Sequence, residues 1–123
     1  MVRCLLIDEN AEERGRLLPL LSELGLECEA RAKAEEGIHF CHANKPDVII
    51  MEASAHRATK EFLRLVRYQG QGLKSPVVIL YSDKPSLDDV GESILAGAAD
   101  YLVRPFDGKL MRFKLEQAGV LTH

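Results

Sequence analysis

The sequence predicts an α/β domain: one doubly wound, five-stranded parallel sheet covered by five helices. Three observations carry that prediction. Apolar runs of strand length recur along the chain, and most are continuous rather than alternating, as in strands buried on both faces. Segments of helix length separate them, which is what parallel neighbours need to return to the same edge. Caps and breakers (Asn10, Gly25, Pro46, Pro76, Ser86, Gly97 and Asp107) fall at the junctions. Right-handed crossovers then place helices on both faces of the sheet.

Val2 to Ile7 is an apolar run interrupted only by Arg3, a mostly buried strand. Asn10 caps a helix running to about Leu24, with Glu12 and Glu13 near its positive end and Leu17, Leu20, Leu21 and Leu24 as its apolar stripe. Pro19 should kink that helix or leave a carbonyl free, and Gly25 should stop it. Leu26, Cys28 and Ala30 alternate with Glu27 and Glu29, a strand with one wetter face. A second helix spans Glu35 to about Asn44 and is broken by Pro46; Asp47 to Met51 is a strand, apolar after its first residue. The third helix covers about Thr59 to Tyr68, with Phe62, Leu63 and Val66 inward and Gly70 and Gly72 at its end. Pro76 leads into Val77 to Tyr81, the next buried strand. A fourth helix starts near Ser86, with Asp88 and Asp89 behind the cap, and ends at Gly97. Tyr101 to Val103 is a short last strand, and Asp107 caps a final helix holding Leu110, Met111, Leu115 and Ala118.

At 123 residues, with no interior linker or repeat, the chain reads as a single domain over 1-123. Its 46% hydrophobic and 28% charged residues exclude a disordered chain, and a net charge of −3 argues against a nucleic-acid binder. Cys4, Cys28 and Cys41 are odd in number, far apart and form no CxxC, so the expectation is a reducing cytoplasm without a disulfide framework or zinc site. His39 and His42 on the second helix lack the further ligands a metal needs. The longest apolar runs are too short to span a membrane, and the N-terminus has no secretory h-region.

In a doubly wound sheet, chemistry gathers at the carboxyl ends of the strands. That rule selects Asp8 and Glu9, Glu52, Ser82 and Arg104: three acids, a hydroxyl and a guanidinium at one edge. Tyr81 is a rival to Ser82 for the hydroxyl position.

These segments resemble the receiver domain of two-component response regulators, over essentially the whole chain. Leu5-Leu6-Ile7-Asp8-Glu9 is similar to the family's opening strand and acidic pair. Pro46-Asp47-Val48-Ile49-Ile50-Met51-Glu52 is similar to the segment that ends at the phosphorylated aspartate. Gly97-Ala98-Ala99-Asp100-Tyr101-Leu102-Val103-Arg104-Pro105-Phe106 is similar to the closing Gly-Ala, aromatic and Lys-Pro-Phe string. The separation of Ser82 from Arg104 matches the family's spacing and decides against Tyr81. The tail resembles the single-domain, CheY-like members.

The resemblance implies the flavodoxin-like receiver fold and a phosphate-accepting site. In such domains the acidic pair and the aspartate hold a magnesium ion, the aspartate takes the phosphoryl group, and a lysine and a hydroxyl bind its oxygens. By correspondence Glu52 is the phospho-site equivalent, Asp8 and Glu9 the acidic pocket, and Arg104 the equivalent of the phosphate-binding lysine. Ser82 and Tyr101 form the switch pair, Tyr101 being also readable as a half-buried strand tyrosine, and Pro105 follows the cis peptide. Asp8, Glu9 and Glu52 would be the ligands of a weak Mg2+ site; no other cofactor is expected.

Three departures stand out. Glu52 takes the place of Asp, Arg104 that of Lys, and the loop Ala53 to Ala58 lacks the usual Met-Pro and Asp-Gly elements. The extra methylene of Glu52 moves the attacking oxygen by roughly 1 Å, a misplacement that costs about a hundredfold in rate. Arg104 loses the point-charge geometry of lysine but gains a fork suited to a carboxylate. The expectation is a contact between Glu52 and Arg104, direct or through one water, with Tyr101 mainly in one rotamer. The protein is then an atypical pseudo-receiver and not an enzyme. It is expected to stand alone without a DNA-binding domain and to act through a protein partner, with a homodimer through the fourth helix, fifth strand and fifth helix as a candidate. Two alternatives stay open: a slow phospho-switch, and a receiver for an anionic second messenger. The latter would use Arg57, Lys60, Arg64 and Arg67, which lie on one side of the third helix; such a stripe is also readable as a solvated face.

Overall fold

Five strands and five helices alternate strictly along the chain in the computed structural model, which describes residues 1–69 and 75–122. They are β1 (Val2–Ile7), α1 (Ala11–Glu23), β2 (Leu26–Arg31), α2 (Ala34–Asn44), β3 (Val48–Glu52), α3 (His56–Gln69), β4 (Val77–Ser82), α4 (Leu87–Leu95), β5 (Asp100–Val103) and α5 (Gly108–Gln117). The sheet order is β2-β1-β3-β4-β5 and every pairing is parallel. The chain steps outward from β1 to β2 and then returns past β1 to β3. The direction of winding therefore reverses between β1 and β3, and a crevice opens at their carboxyl ends.

Alternation of side chains along each strand feeds two core layers. On one side Cys4, Leu6, Val48, Ile50, Ile79 and Tyr81 pack with Leu17 and Leu21 of α1 and Met111 and Leu115 of α5. On the other, Leu5, Ile7, Ile49, Met51, Val78 and Leu80 pack with Cys41 of α2 and Phe62, Leu63 and Val66 of α3. Burial on both faces explains why β1, β3 and β4 lack the polar alternation seen in β2. Each fully buried Leu or Ile contributes roughly 1.5–3 kcal/mol. None of the described helices is long and apolar enough to cross a membrane.

Helix starts follow the caps. Asn10 accepts the Glu13 amide, Ser86 that of Asp89, and Asp107 that of Leu110. Helix α1 continues through Pro19, whose exposed ring lets the Gly15 carbonyl that lacks its helical donor face water. Helix α3 begins at His56, three residues before the expected Thr59, because Thr59 is already inside the first turn: its amide and its hydroxyl both bond the Ala55 carbonyl at 2.9 Å. Strands β3 and β4 each run one residue further than expected, to Glu52 and Ser82. Gly70 and Gly72, the expected end of the third helix, lie outside the described residues.

Gly37 sits inside α2 for lack of room. A β-carbon there would collide with the end of the Ile7 side chain, come within 3.2 Å of its Cγ1, and touch Phe62 at 3.4 Å. The helix-propensity gain of Gly37→Ala, about 1 kcal/mol, opposes an overpacking cost of about 1–3 kcal/mol. The variant should lose about 1 kcal/mol in urea unfolding; a gain would mean that Ile7 repacks freely.

Candidate functional site

Four of the five strands deliver one group each to the crevice. Asp8 follows β1, Glu52 ends β3, Ser82 ends β4 and Arg104 follows β5. The Arg104 amide donates to the Ser82 carbonyl at 2.9 Å, which ties the last two strand ends together. The Arg104–Pro105 peptide is cis, as expected.

The centre of the site is the Arg104 guanidinium. Its Nε donates to Asp83 Oδ1 at 2.7 Å and its Nη1 to Glu13 Oε2 at 3.2 Å. Nη1 is also 3.8 Å from Asp8 Oδ2, and Nη2 is 3.6 Å from Glu52 Oε2. Four carboxylates from four parts of the chain thus surround one cation. Burial works against its charge, but Asp83 and Glu13 outweigh this and hold the guanidinium above its ordinary range. Arg16, first, and Arg104 hold the Glu13 carboxyl below its ordinary range. The expected pairing of Glu52 with Arg104 is present as an ion pair, longer than a hydrogen bond. The shorter partners, Glu13 and Asp83, were not expected. Glu13 was legible only as a helix-end charge, and Asp83 only as the residue after a strand-end hydroxyl.

Beneath the guanidinium lies Tyr81, wholly buried, its ring centroid 5.3 Å from the Arg104 Cζ. Its hydroxyl donates to Asp8 Oδ2 at 2.5 Å. Burial first, then the bond to Asp8, push the phenol far above its ordinary range, so it stays a donor. Spacing had favoured Ser82 over Tyr81 for the hydroxyl role. The structure uses both, in different ways: Ser82 Oγ lies 2.9 Å from the Tyr101 hydroxyl, and Tyr81 serves the acid. Tyr101 is half-buried and engaged with Ser82.

The fit to a divalent cation is poor. Asp8 Oδ1 accepts the Asn10 amide at 2.9 Å, and its Oδ2 is taken by Tyr81. Glu52 Oε1 accepts the Ser54 amide at 3.1 Å and the Ser54 hydroxyl at 2.8 Å. Glu9 is exposed, while Asp8 is buried. Among the described residues no three His, Cys, Asp or Glu side chains gather in a way that could hold a metal. The expected ligand set of Asp8, Glu9 and Glu52 is therefore not assembled: protein donors already use the oxygens of Asp8 and Glu52, and Glu9 faces solvent.

The stripe on α3 is exposed but partly neutralised. Lys60 Nζ is 3.0 Å from Glu92 Oε1 on α4, and Arg64 bonds Glu61 at 2.7 Å. His56 Nε2 also reaches Glu92 Oε1 at 3.0 Å and lies 3.5 Å from Asp89 Oδ1, so α3 and α4 are joined mainly through Glu92.

Removing the Tyr81 hydroxyl would leave a buried carboxylate one donor short, at a cost of about 1–3 kcal/mol. Tyr81→Phe should show that loss in urea unfolding, and Tyr101→Phe clearly less. Equal effects would mean that Asp8 recruits another donor.

No family model matches the chain. Among curated proteins, it is 31% identical over 106 residues to the two-component response regulator-like protein APRR1 of Arabidopsis thaliana, covering 85% of this chain and 17% of that protein. It is 28% identical over 107 residues to the virulence transcriptional regulatory protein PhoP of Salmonella choleraesuis, covering 86% of this chain and 46% of that one. The chain thus spans less than half the length of these relatives. Among solved structures, the Vibrio cholerae chemotaxis protein CheY4 superposes with a TM-score of 0.85 at 26% identity, over 98% of this chain and 99% of that one. FixJ-N superposes at 0.83 with 18% identity, over 100% of this chain and 98% of that one, a likeness of fold alone. With the parallel order β2-β1-β3-β4-β5 and near-complete coverage of the CheY4 chain, the protein is a response-regulator receiver domain of the two-component signalling type.

Proposed function

We propose that this domain is a pseudo-receiver: it signals by contact with a partner protein and does not depend on a phosphoryl group. The observation that supports this most is the Arg104 guanidinium, set among Asp8, Glu13, Glu52 and Asp83. Glu52 corresponds by sequence to the phospho-accepting position and Arg104 to the lysine that reads the phosphate. Here the two groups already face each other at 3.6 Å. Oxygens that would attract a cation for phosphoryl transfer are occupied by protein donors. Asp8 and Glu9, the acidic pair by correspondence, part company: one is buried under Tyr81 and the other faces solvent.

The fixed pocket is read out, in this proposal, through α4, β5 and α5. Ser82 and Tyr101 link the pocket to β5, and that side of the molecule exposes Leu87, Leu95, Val103 and Phe113. An apolar partner helix fits such a surface; a second copy of the chain is the other occupant that size measurement would reveal. We assign the domain to the cytoplasm on its family likeness, as a binding module and not an enzyme. The nucleotide-receptor alternative is not favoured, because Lys60 and Arg64 on α3 are already paired with Glu92 and Glu61.

Two outcomes test the proposal. Incubated with a small phosphodonor and Mg2+, the natural chain should gain no phosphoryl mass. The double variant Glu52→Asp, Arg104→Lys should be phosphorylated at least about a hundredfold faster, since the positions of attacking oxygen and cation are restored. Rapid, near-complete phosphorylation of the natural chain would overturn the pseudo-receiver reading.

Second, Mg2+ should leave the thermal midpoint of the natural chain unchanged. In Arg104→Met, which removes the competing cation and releases Glu52 Oε2 and Glu13 Oε2, Mg2+ at about ten times its Kd should raise the midpoint by roughly 3–6 °C. A response of the natural chain equal to that of the variant would mean that the guanidinium does not compete with the metal.

A further inference from the structure

Cys4 and Cys28 are distant in sequence but face each other across the sheet. Strands β1 and β2 pair in parallel with Cys4 opposite Cys28. Both side chains belong to the same layer, the one beneath α1 and α5. Neighbouring strands lie about 4.8 Å apart, inside the Cα separation of roughly 4.4–6.8 Å that a disulfide accepts. The neighbouring Cys28 thiol first, and then burial, hold the Cys4 thiol far above its ordinary range. Cys4 is 1% exposed, whereas Cys28 is half-buried on the edge strand. Cys41 lies in the opposite layer, with the sheet between it and this pair.

We propose that Cys4 and Cys28 form a reversible dithiol–disulfide site that is oxidised by peroxide. Cys28 is the attacking sulfur, because it has access to solvent. Its thiolate attacks one oxygen of the peroxide and the O–O bond breaks. The departing hydroxide takes up the proton Cys28 released and leaves as water. The Cys28 sulfenic acid is then attacked by the Cys4 sulfur. The S–O bond breaks, the S–S bond forms, and the Cys4 proton leaves with the hydroxide as a second water. Two thiols lose two electrons in all, and one peroxide becomes two waters. A small dithiol reverses the reaction by exchange and is itself oxidised to a disulfide. Cys4 is shut off from solvent peroxide and keeps its proton until it attacks the Cys28 sulfur on the adjacent strand, so it resolves and does not initiate.

The bond would fasten the edge strand β2 to β1 and close the loop that contains α1. Both strands run directly to the site, where the Asp8 amide donates to the Arg31 carbonyl at 3.1 Å. Since its cysteines lie away from the acidic pocket, the proposal stands or falls independently of the pseudo-receiver reading.

The test treats the full, reduced chain with hydrogen peroxide, then alkylates free thiols under denaturing conditions and maps peptides by mass. The expected product is a monomer lighter by two hydrogen atoms, with Cys4 joined to Cys28, Cys41 alkylated, and full reversal by dithiothreitol. In Cys4→Ser, oxidation should stop at oxygen adducts on Cys28; Cys41→Ser should crosslink like the natural chain. A natural chain in which Cys28 becomes a sulfinic acid while Cys4 remains free would overturn the proposal, as would a crosslink through Cys41 or between chains.

Discussion

A half-buried guanidinium set among four carboxylates is held by attraction and opposed by desolvation. At an effective dielectric of about 20, each of the contacts of Arg104 with Glu13, Glu52 and Asp8 represents about 4–5 kcal/mol of gross Coulomb attraction, against the cost of taking these charges partly out of water. Asp83 is exposed and contributes mainly geometry. Because the partners come from β1, α1, β3 and the turn after β4, the cluster holds only while those elements keep their relative positions. The Arg104 environment is therefore both a product of the fold and a constraint on it.

Tyr81 connects that cluster to the core. Its ring packs edge-to-face on Phe106, with centroids 5.6 Å apart, beneath the Arg104 guanidinium. Its hydroxyl satisfies a carboxylate that is 4% exposed. One side chain thus fills apolar space, underlies a cation and donates to an acid. The neighbouring residue, Ser82, points to the opposite face, as alternation in a strand requires, and meets Tyr101 there. The two hydroxyl residues of β4 consequently serve two different sides of the sheet: one stabilises the acidic pocket, and the other reaches β5.

A pocket of this kind biases a conformational equilibrium only through contacts that differ between its states. On the pseudo-receiver reading proposed above, the guanidinium supplies such contacts permanently, where a transferred phosphoryl group or bound cation would supply them on demand, and fixed geometry is gained at the expense of responsiveness. The joint made by His56 and Lys60 on Glu92 holds α3 to α4 in a similar way, at the surface, where each ion pair is worth little by itself.

The sequence by itself determined the fold class and the edge at which the site lies. Hydrophobic periodicity and caps are local properties, and they set all ten elements in order; the expected bounds differ at ends, as at His56, where a first turn without a large apolar residue carries no periodic signal. The strand-end rule likewise found Asp8, Glu52, Ser82 and Arg104. What only the tertiary structure decided was who partners whom. Glu13 and Asp83 reach Arg104 because helix α1 and the turn after β4 converge on the crevice. Tyr81 turns toward Asp8 because parity along β4 sends it to that face. Glu9 and Asp8 separate because one side chain points inward and the next outward. Cys4 meets Cys28 only through the register of β1 on β2. Such contacts depend on three-dimensional distances between residues far apart in the chain, and no local pattern encodes a distance.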